Sequence, residues 1–125
     1  MPSLLLIDDH TCGSRTLART LRSVGYKVEV ALDEQEAVDL FRLCVADAVI
    51  MDCHPKAGGR SIAPILRRIS SDTPIIMVSG FCGLPCDRLT LADACVQKGH
   101  VTALLETLRV MLCSRHYGLH QSVAA

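Results

Sequence analysis

Ala48-Val49-Ile50-Met51 is a run of four apolar residues with no polar alternation, and it passes directly into a carboxylate, Asp52, and then into a loop broken by Pro55, Gly58 and Gly59. A strand with no wet face is buried on both sides, as central strands of parallel sheets are. Its C-terminal tip is then where a polar group emerges, and in an open α/β sheet that tip is the ligand edge. A second run ends in the same way: Leu4-Leu5-Leu6-Ile7 is followed by Asp8-Asp9. Three carboxylates therefore finish two buried strands.

The remainder alternates strand and helix. A loop over 8–13 leads to a helix from about Ser14 to Val24, with Leu17, Leu21 and Val24 at helical spacing and Arg15, Arg19 and Arg22 as their polar complement. Gly25 is its stop signal. Lys27 to Ala31 alternates like a strand with one wetter face, which suits a sheet edge. Asp33-Glu34-Gln35-Glu36 reads as an N-cap with a capping-box glutamate, opening a helix that turns Ala37, Val38, Phe41 and Cys44 inward. Ser61 to about Ser70 forms the next helix, with Ile62, Leu66 and Ile69 on one face, Ile65 beside them and Pro64 in the first turn, where its missing N–H does little harm. Pro74 to Val78 is the fourth strand, closed by Ser79-Gly80. Residues 81–91 allow at most a short helix from Asp87. Ala94 to Gln97 is the fifth strand, ending at Lys98-Gly99, and Thr102 to Cys113 is a final amphipathic helix through Leu104, Leu105, Leu108 and Leu112. Residues 1–114 thus read as one domain and 115–125 as a C-terminal tail or the start of a linker.

This alternation predicts an α/β fold: a doubly wound, five-stranded parallel sheet in the flavodoxin-like order 2-1-3-4-5, with helices on both faces and right-handed crossovers. The 125-residue chain is half apolar, enough to bury one core. Lysine plus arginine equals aspartate plus glutamate at 13 each, and the chain has no tryptophan, two tyrosines and two phenylalanines. No net field or aromatic platform favours nucleic acid. No run approaches the roughly 20 apolar residues of a membrane span, and four apolar residues before Asp8 are too few for a signal-peptide core, so a cytoplasmic location is expected. Seven cysteines at irregular spacing in such a chain imply reduced thiols rather than a disulfide framework.

In the order 2-1-3-4-5 the first and third strands are neighbours, so Asp8, Asp9 and Asp52 converge, with Ser79 and Lys98 at the ends of the two strands beyond. Clustered carboxylates raise one another's pKa unless a cation sits among them. All-oxygen ligation suits Mg²⁺. With the metal held by two carboxylates, the third can act as nucleophile toward a phosphoryl group, while the metal and Lys98 neutralise the transferred oxygens and Ser79 donates to one of them.

From Leu4 to about Cys113, the order of elements and these five polar positions resemble the receiver domain of two-component response regulators. The resemblance implies that Asp8 and Asp9 are the acidic pair, Asp52 the phosphoacceptor, Ser79 the switch hydroxyl and Lys98 the characteristic lysine. It further implies Mg²⁺ or Mn²⁺ held by Asp8, Asp9, Asp52 and the backbone carbonyl of His54, and a histidine kinase or phosphotransfer protein as donor. A downstream protein or fused output domain would read the signal through the final helix and fifth strand, and a homodimer is compatible with it. No enzyme is implied beyond self-phosphorylation and self-dephosphorylation.

Two departures stand out. Receivers usually follow the lysine with a proline across a cis bond; Gly99 stands there, and because a cis bond without proline costs roughly 2.5–4 kcal/mol, a trans bond is expected at Lys98-Gly99. The aromatic switch position, three before the lysine, is Cys95. The loop after Asp52 is one residue short, and the span from Ser79 to Lys98 is tight for a helix plus a strand. Gly99 and Cys95 favour an alternative, a phosphorylation-independent interaction scaffold, which the acidic pair, Asp52, Ser79 and Lys98 oppose. A second alternative is a thiol or soft-metal sensor built from Cys12, Cys53, Cys82, Cys86, His10 and His54. Taken singly, an aspartate before a helix is more often a cap, Ser79 a turn residue and Lys98 a solvated lysine. Neither the Walker lysine pattern nor dinucleotide glycine spacing follows Gly58-Gly59.

Overall fold

The computed structural model describes the backbone of residues 2–7, 11–53, 62–79, 92–97 and 99–124, and within these the side chains other than those of 11–14, 52–53, 62, 79 and 114–124. Five strands, β1 (Ser3–Ile7), β2 (Lys27–Ala31), β3 (Ala48–Cys53), β4 (Ile75–Ser79) and β5 (Ala94–Gln97), form one sheet in the order β2-β1-β3-β4-β5, with every neighbouring pair parallel. Among the described residues the helices are α1 (Thr11–Val24), α2 (Glu34–Leu43), α3 (Ile62–Ile69) and α4 (Val101–Ala124). The predicted order and fold class are those observed.

The central strands are apolar on both faces, and both faces are covered. Leu4, Leu6, Ala48, Ile50, Ile76 and Val78 pack with Ala18 and Leu21 of α1 and Leu104 and Leu108 of α4. Their alternates Leu5, Ile7, Val49, Met51 and Ile75 pack with Ala37 and Phe41 of α2 and Ala63 and Leu66 of α3. The two-residue period of the strand divides each apolar run between two cores. Edge strand β2 alternates as expected, with Lys27 and Glu29 exposed and Val28 and Ala31 buried.

Local signals set the helix ends. Gly25, at φ +113, closes α1 with Gly25 N–H donating to Arg22 C=O at 3.0 Å and Tyr26 N–H to Leu21 C=O at 3.2 Å, the paired bonds of a Schellman motif. Asp33 caps α2, its Oδ1 accepting from Glu36 N–H at 2.7 Å. Pro64 falls in the first turn of α3.

Several boundaries differ from expectation. Helix α1 begins at Thr11, ahead of Ser14. Cys44 does not face the core: α2 ends at Leu43, and Cys44 is its C-cap with φ −112 and ψ 133, so its exposed thiol leaves the helical stripe. Ile65 lies on the flank of α3 at 37% exposure, whereas Leu66 is fully buried. The final helix starts one residue before Thr102, and its backbone continues past Cys113 to Ala124, through the residues read as a tail or linker. The short helix expected from Asp87 lies outside the described residues.

Candidate functional site at the C-terminal edge of the sheet

The candidate residues depend on where strands stop and how they are registered. Ile7, the last residue of β1 and the one before Asp8 in sequence, is partnered with Met51 of β3, the one before Asp52. Strand β3 runs two residues beyond the expected Met51. Asp52 and Cys53 are held in the ladder by β4, with Asp52 partnered to Val78 and Cys53 to Ser79. Ser79 is in turn partnered with Gln97, the residue before Lys98. The backbone thus brings Asp52 and Ser79 to one edge, on adjacent strands. Asp8, Asp9, His54 and Lys98 lie outside the described residues, as do the side chains of Asp52 and Ser79.

The two departures at β5 have defined geometry. Cys95 is exposed, on an edge strand, with Met77 as its partner in the ladder. Gly99 has φ +91, and His100 N–H donates to Gln97 C=O at 3.2 Å, closing a four-residue turn with Gly99 in third place. Glycine adopts positive φ without steric cost. Proline, locked near φ −65°, cannot occupy this conformation. The peptide bond between Lys98 and Gly99 lies outside the described residues.

The opposite edge holds two residues that the sequence reading passed over. Asp47, just before β3, accepts the backbone N–H of Ser3 through Oδ2 at 2.7 Å, while its own N–H donates to Ser3 C=O at 2.7 Å. Asp93, just before β5, does the same to β4: Oδ2 accepts Ile75 N–H at 2.7 Å, and Asp93 N–H donates to Ile75 C=O at 2.7 Å. Arg67 adds an ion pair to the same Oδ2 at 2.7 Å, and its Nη1 donates to the carbonyls of Ser71 and Thr73 at 3.3 and 3.2 Å. The signal was present in the sequence as a repeated tripeptide, Ala46-Asp47-Ala48 and Ala92-Asp93-Ala94.

Arg109 hydrogen-bonds Glu106 and holds its carboxyl below the usual carboxylate range, and Glu106 raises the guanidinium in return. Of the residues in the soft-metal alternative, Cys12 and Cys53 have described backbone only, and Cys82, Cys86, His10 and His54 lie outside the described residues. Among the described side chains, no group of three or more histidines, cysteines or acids is placed to hold a metal. No helix among the described residues is long and apolar enough to cross a membrane.

Known proteins share this architecture. The family model described as the response regulator receiver domain matches residues 4–105. A probable transcriptional regulator, ycf27, of Porphyra purpurea is 36% identical over 88 residues, covering 70% of this chain and 35% of the relative. The response regulator MprA of Mycolicibacterium vanbaalenii is 35% identical over 77 residues, covering 61% and 33%. The chain therefore spans about a third of the length of these curated relatives. Among solved structures, response regulator TrrA of Thermotoga maritima, crystallised in complex with Mg²⁺-BeF, superposes with TM-score 0.80 at 26% identity, covering 89% of this chain and 99% of that one. Chemotaxis protein CheY4 of Vibrio cholerae superposes with TM-score 0.79 at 27% identity, covering 89% and 98%. With the family's pattern matching residues 4–105 of its 125 and its fold superposing on solved response regulators, this chain belongs to the response regulator receiver domains of two-component systems.

Proposed function

We propose that the chain accepts a phosphoryl group on Asp52 from the phosphohistidine of a histidine kinase or phosphotransfer protein, with Mg²⁺ (or Mn²⁺) at Asp8, Asp9, Asp52 and the backbone carbonyl of His54. The observation that carries this is the β1–β3 register, in which Ile7, the residue before the acidic pair in sequence, is partnered with Met51, the residue before Asp52. The donor set is all oxygen, which suits a hard divalent cation. Bound there, the cation would offset carboxylate repulsion and the charge of the phosphoryl oxygens.

The chain's own residues divide the remaining work. A carboxylate oxygen of Asp52 attacks phosphorus, the P–N bond to the donor imidazole breaks, and an acyl phosphate forms as the imidazole leaves with the bonding pair. Ser79, partnered with Cys53 one residue beyond Asp52, would donate its hydroxyl to a phosphoryl oxygen. Lys98, which follows Gln97 at the neighbouring strand end, supplies positive charge. The protein is a phosphoacceptor rather than a conventional enzyme, acting in the cytoplasm through residues 1–114, with 115–125, helical as far as Ala124, serving as a linker toward a downstream protein or fused output domain.

A second reading, a receiver-like scaffold that works without phosphate, is favoured by Gly99 in a turn closed to proline and by the thiol of Cys95 where a ring is usual. Intact-protein mass after incubation with a small phosphodonor separates the two. The expected result is a gain of one phosphoryl group that requires Mg²⁺ and is lost in Asp52→Ala. An unchanged wild-type mass, under conditions that label an ordinary receiver, would leave the scaffold reading standing.

A further inference from the structure

Strands β1, β3 and β4 are apolar on both faces, and both faces are buried. In a half-buried strand, a one-residue slip moves the apolar set to solvent, which is how side-chain pattern specifies register. Here a slipped Leu4-Leu5-Leu6-Ile7 would still present apolar residues to both cores, so the pattern discriminates weakly. A slip of one residue nevertheless shifts one strand end against its neighbour by about 3.3 Å and reverses its faces. The site at the C-terminal edge therefore needs a register device that the apolar pattern does not provide.

We infer that Asp47 and Asp93 are that device: positioning residues at the N-terminal edge of the sheet, each of which sets the alignment of one half of the phosphoacceptor site. Each carboxylate takes the N–H of the residue that opens the neighbouring strand, and each backbone N–H takes the C=O of that same residue, all at 2.7 Å. Such a double contact is lost on a slip in either direction. Asp47 joins β3 to β1, the strands that lead to Asp52 and to Asp8-Asp9, and lies five positions before Asp52. Asp93 joins β5 to β4, the strands that lead to Lys98 and to Ser79, and lies five positions before Lys98. The sheet thus carries one staple for the metal-binding half and one for the phosphoryl-binding half. Arg67 braces the second, tying Asp93 to the end of α3.

This inference rests on the phosphoacceptor reading, and its test separates the two. Mg²⁺ affinity by titration calorimetry, and labelling rate by a small phosphodonor at saturating Mg²⁺, are measured for the full chain and for Asp47→Ala, Asp47→Asn, Asp93→Ala and Asp93→Asn. Asp47→Ala is expected to weaken Mg²⁺ binding about tenfold, the usual scale for losing a group that orients ligands, and Asp47→Asn, which keeps an acceptor oxygen, to restore most of it. Asp93→Ala is expected to leave Mg²⁺ affinity unchanged and to slow labelling about tenfold, with Asp93→Asn again restoring most of the rate. Amide exchange should accelerate at Ile7 and Met51 in the first alanine variant and at Ser79 and Gln97 in the second. If an alanine variant does not fold, the glutamate variant at that position, whose extra methylene displaces the carboxylate, is expected to show the same split in smaller measure. Losses in both readouts that merely track urea stability, or no loss in folded variants, overturn the assignment. A wild-type chain that neither binds Mg²⁺ nor is labelled overturns the phosphoacceptor reading instead, and the exchange pattern alone then decides whether the staples set register.

Discussion

Placing a proline at position 99, as receivers usually have, should damage this chain rather than repair it. Gly99 stands at φ +91, and among the described residues no heavy atom beyond its chain neighbours lies within 4 Å of where a Cβ would be. The cost of Gly99→Ala is therefore conformational and not steric. An L-residue held at positive φ costs on the order of 1–2 kcal/mol, which for a domain of this size lowers Tm by roughly 3–10 °C. Gly99→Asn should cost less than alanine, because asparagine tolerates the left-handed region. Gly99→Pro cannot reach positive φ at all, so the turn closed by His100 N–H to Gln97 C=O must be rebuilt, and the loss should exceed that of alanine. Urea denaturation of the three variants, read as a shift in midpoint at constant slope, is the assay. A proline variant as stable as the wild type would refute the reasoning, since it would place residue 99 near φ −65°.

Two further outcomes follow from the packing and capping. Leu66→Ala empties a fully buried site between α3 and the sheet, so a loss of about 2–5 kcal/mol is expected in the same denaturation assay, whereas Ile65→Ala, on the exposed flank of the helix, should cost much less. Asp33→Ala removes the acceptor for Glu36 N–H and should cost about 0.5–2 kcal/mol, while Asp33→Ser, which keeps a capping oxygen, should recover most of it; equal losses in the two variants would show that the cap bond is not the cause.

Much of the scaffold was legible because its signals are local. The runs Leu4–Ile7 and Ile75–Val78 have no polar position and could only be buried strands, and they are buried to within a few per cent. Gly25 and Asp33 mark helix ends by backbone conformation and by a side-chain acceptor, which depend on near neighbours only. Cys44 departs from the inward stripe expected of it because apolar periodicity does not announce where a helix stops; the backbone turns out of the helix at that residue. The end of β3 was placed too early because Asp52 looks like a terminator in sequence, while the ladder with β4 holds it and Cys53 in the strand.

The sequence by itself determined the alternation of elements, the parallel sheet that alternation requires, and the identity of the polar residues that follow its strands, because these depend on periodicity and on single-residue backbone preferences. Tertiary structure alone decided register, and with it which strand ends lie side by side. Nothing within Leu4–Ile7 or Ala48–Met51 says that Ile7 is partnered with Met51, since strands apolar on both faces can slip without exposing anything. That alignment is tied down at the far edge, where Asp47 grips Ser3, and the β4–β5 alignment where Asp93 grips Ile75, by hydrogen bonds between residues 44 and 18 positions apart in the chain. Contacts of that separation form only once the sheet has assembled.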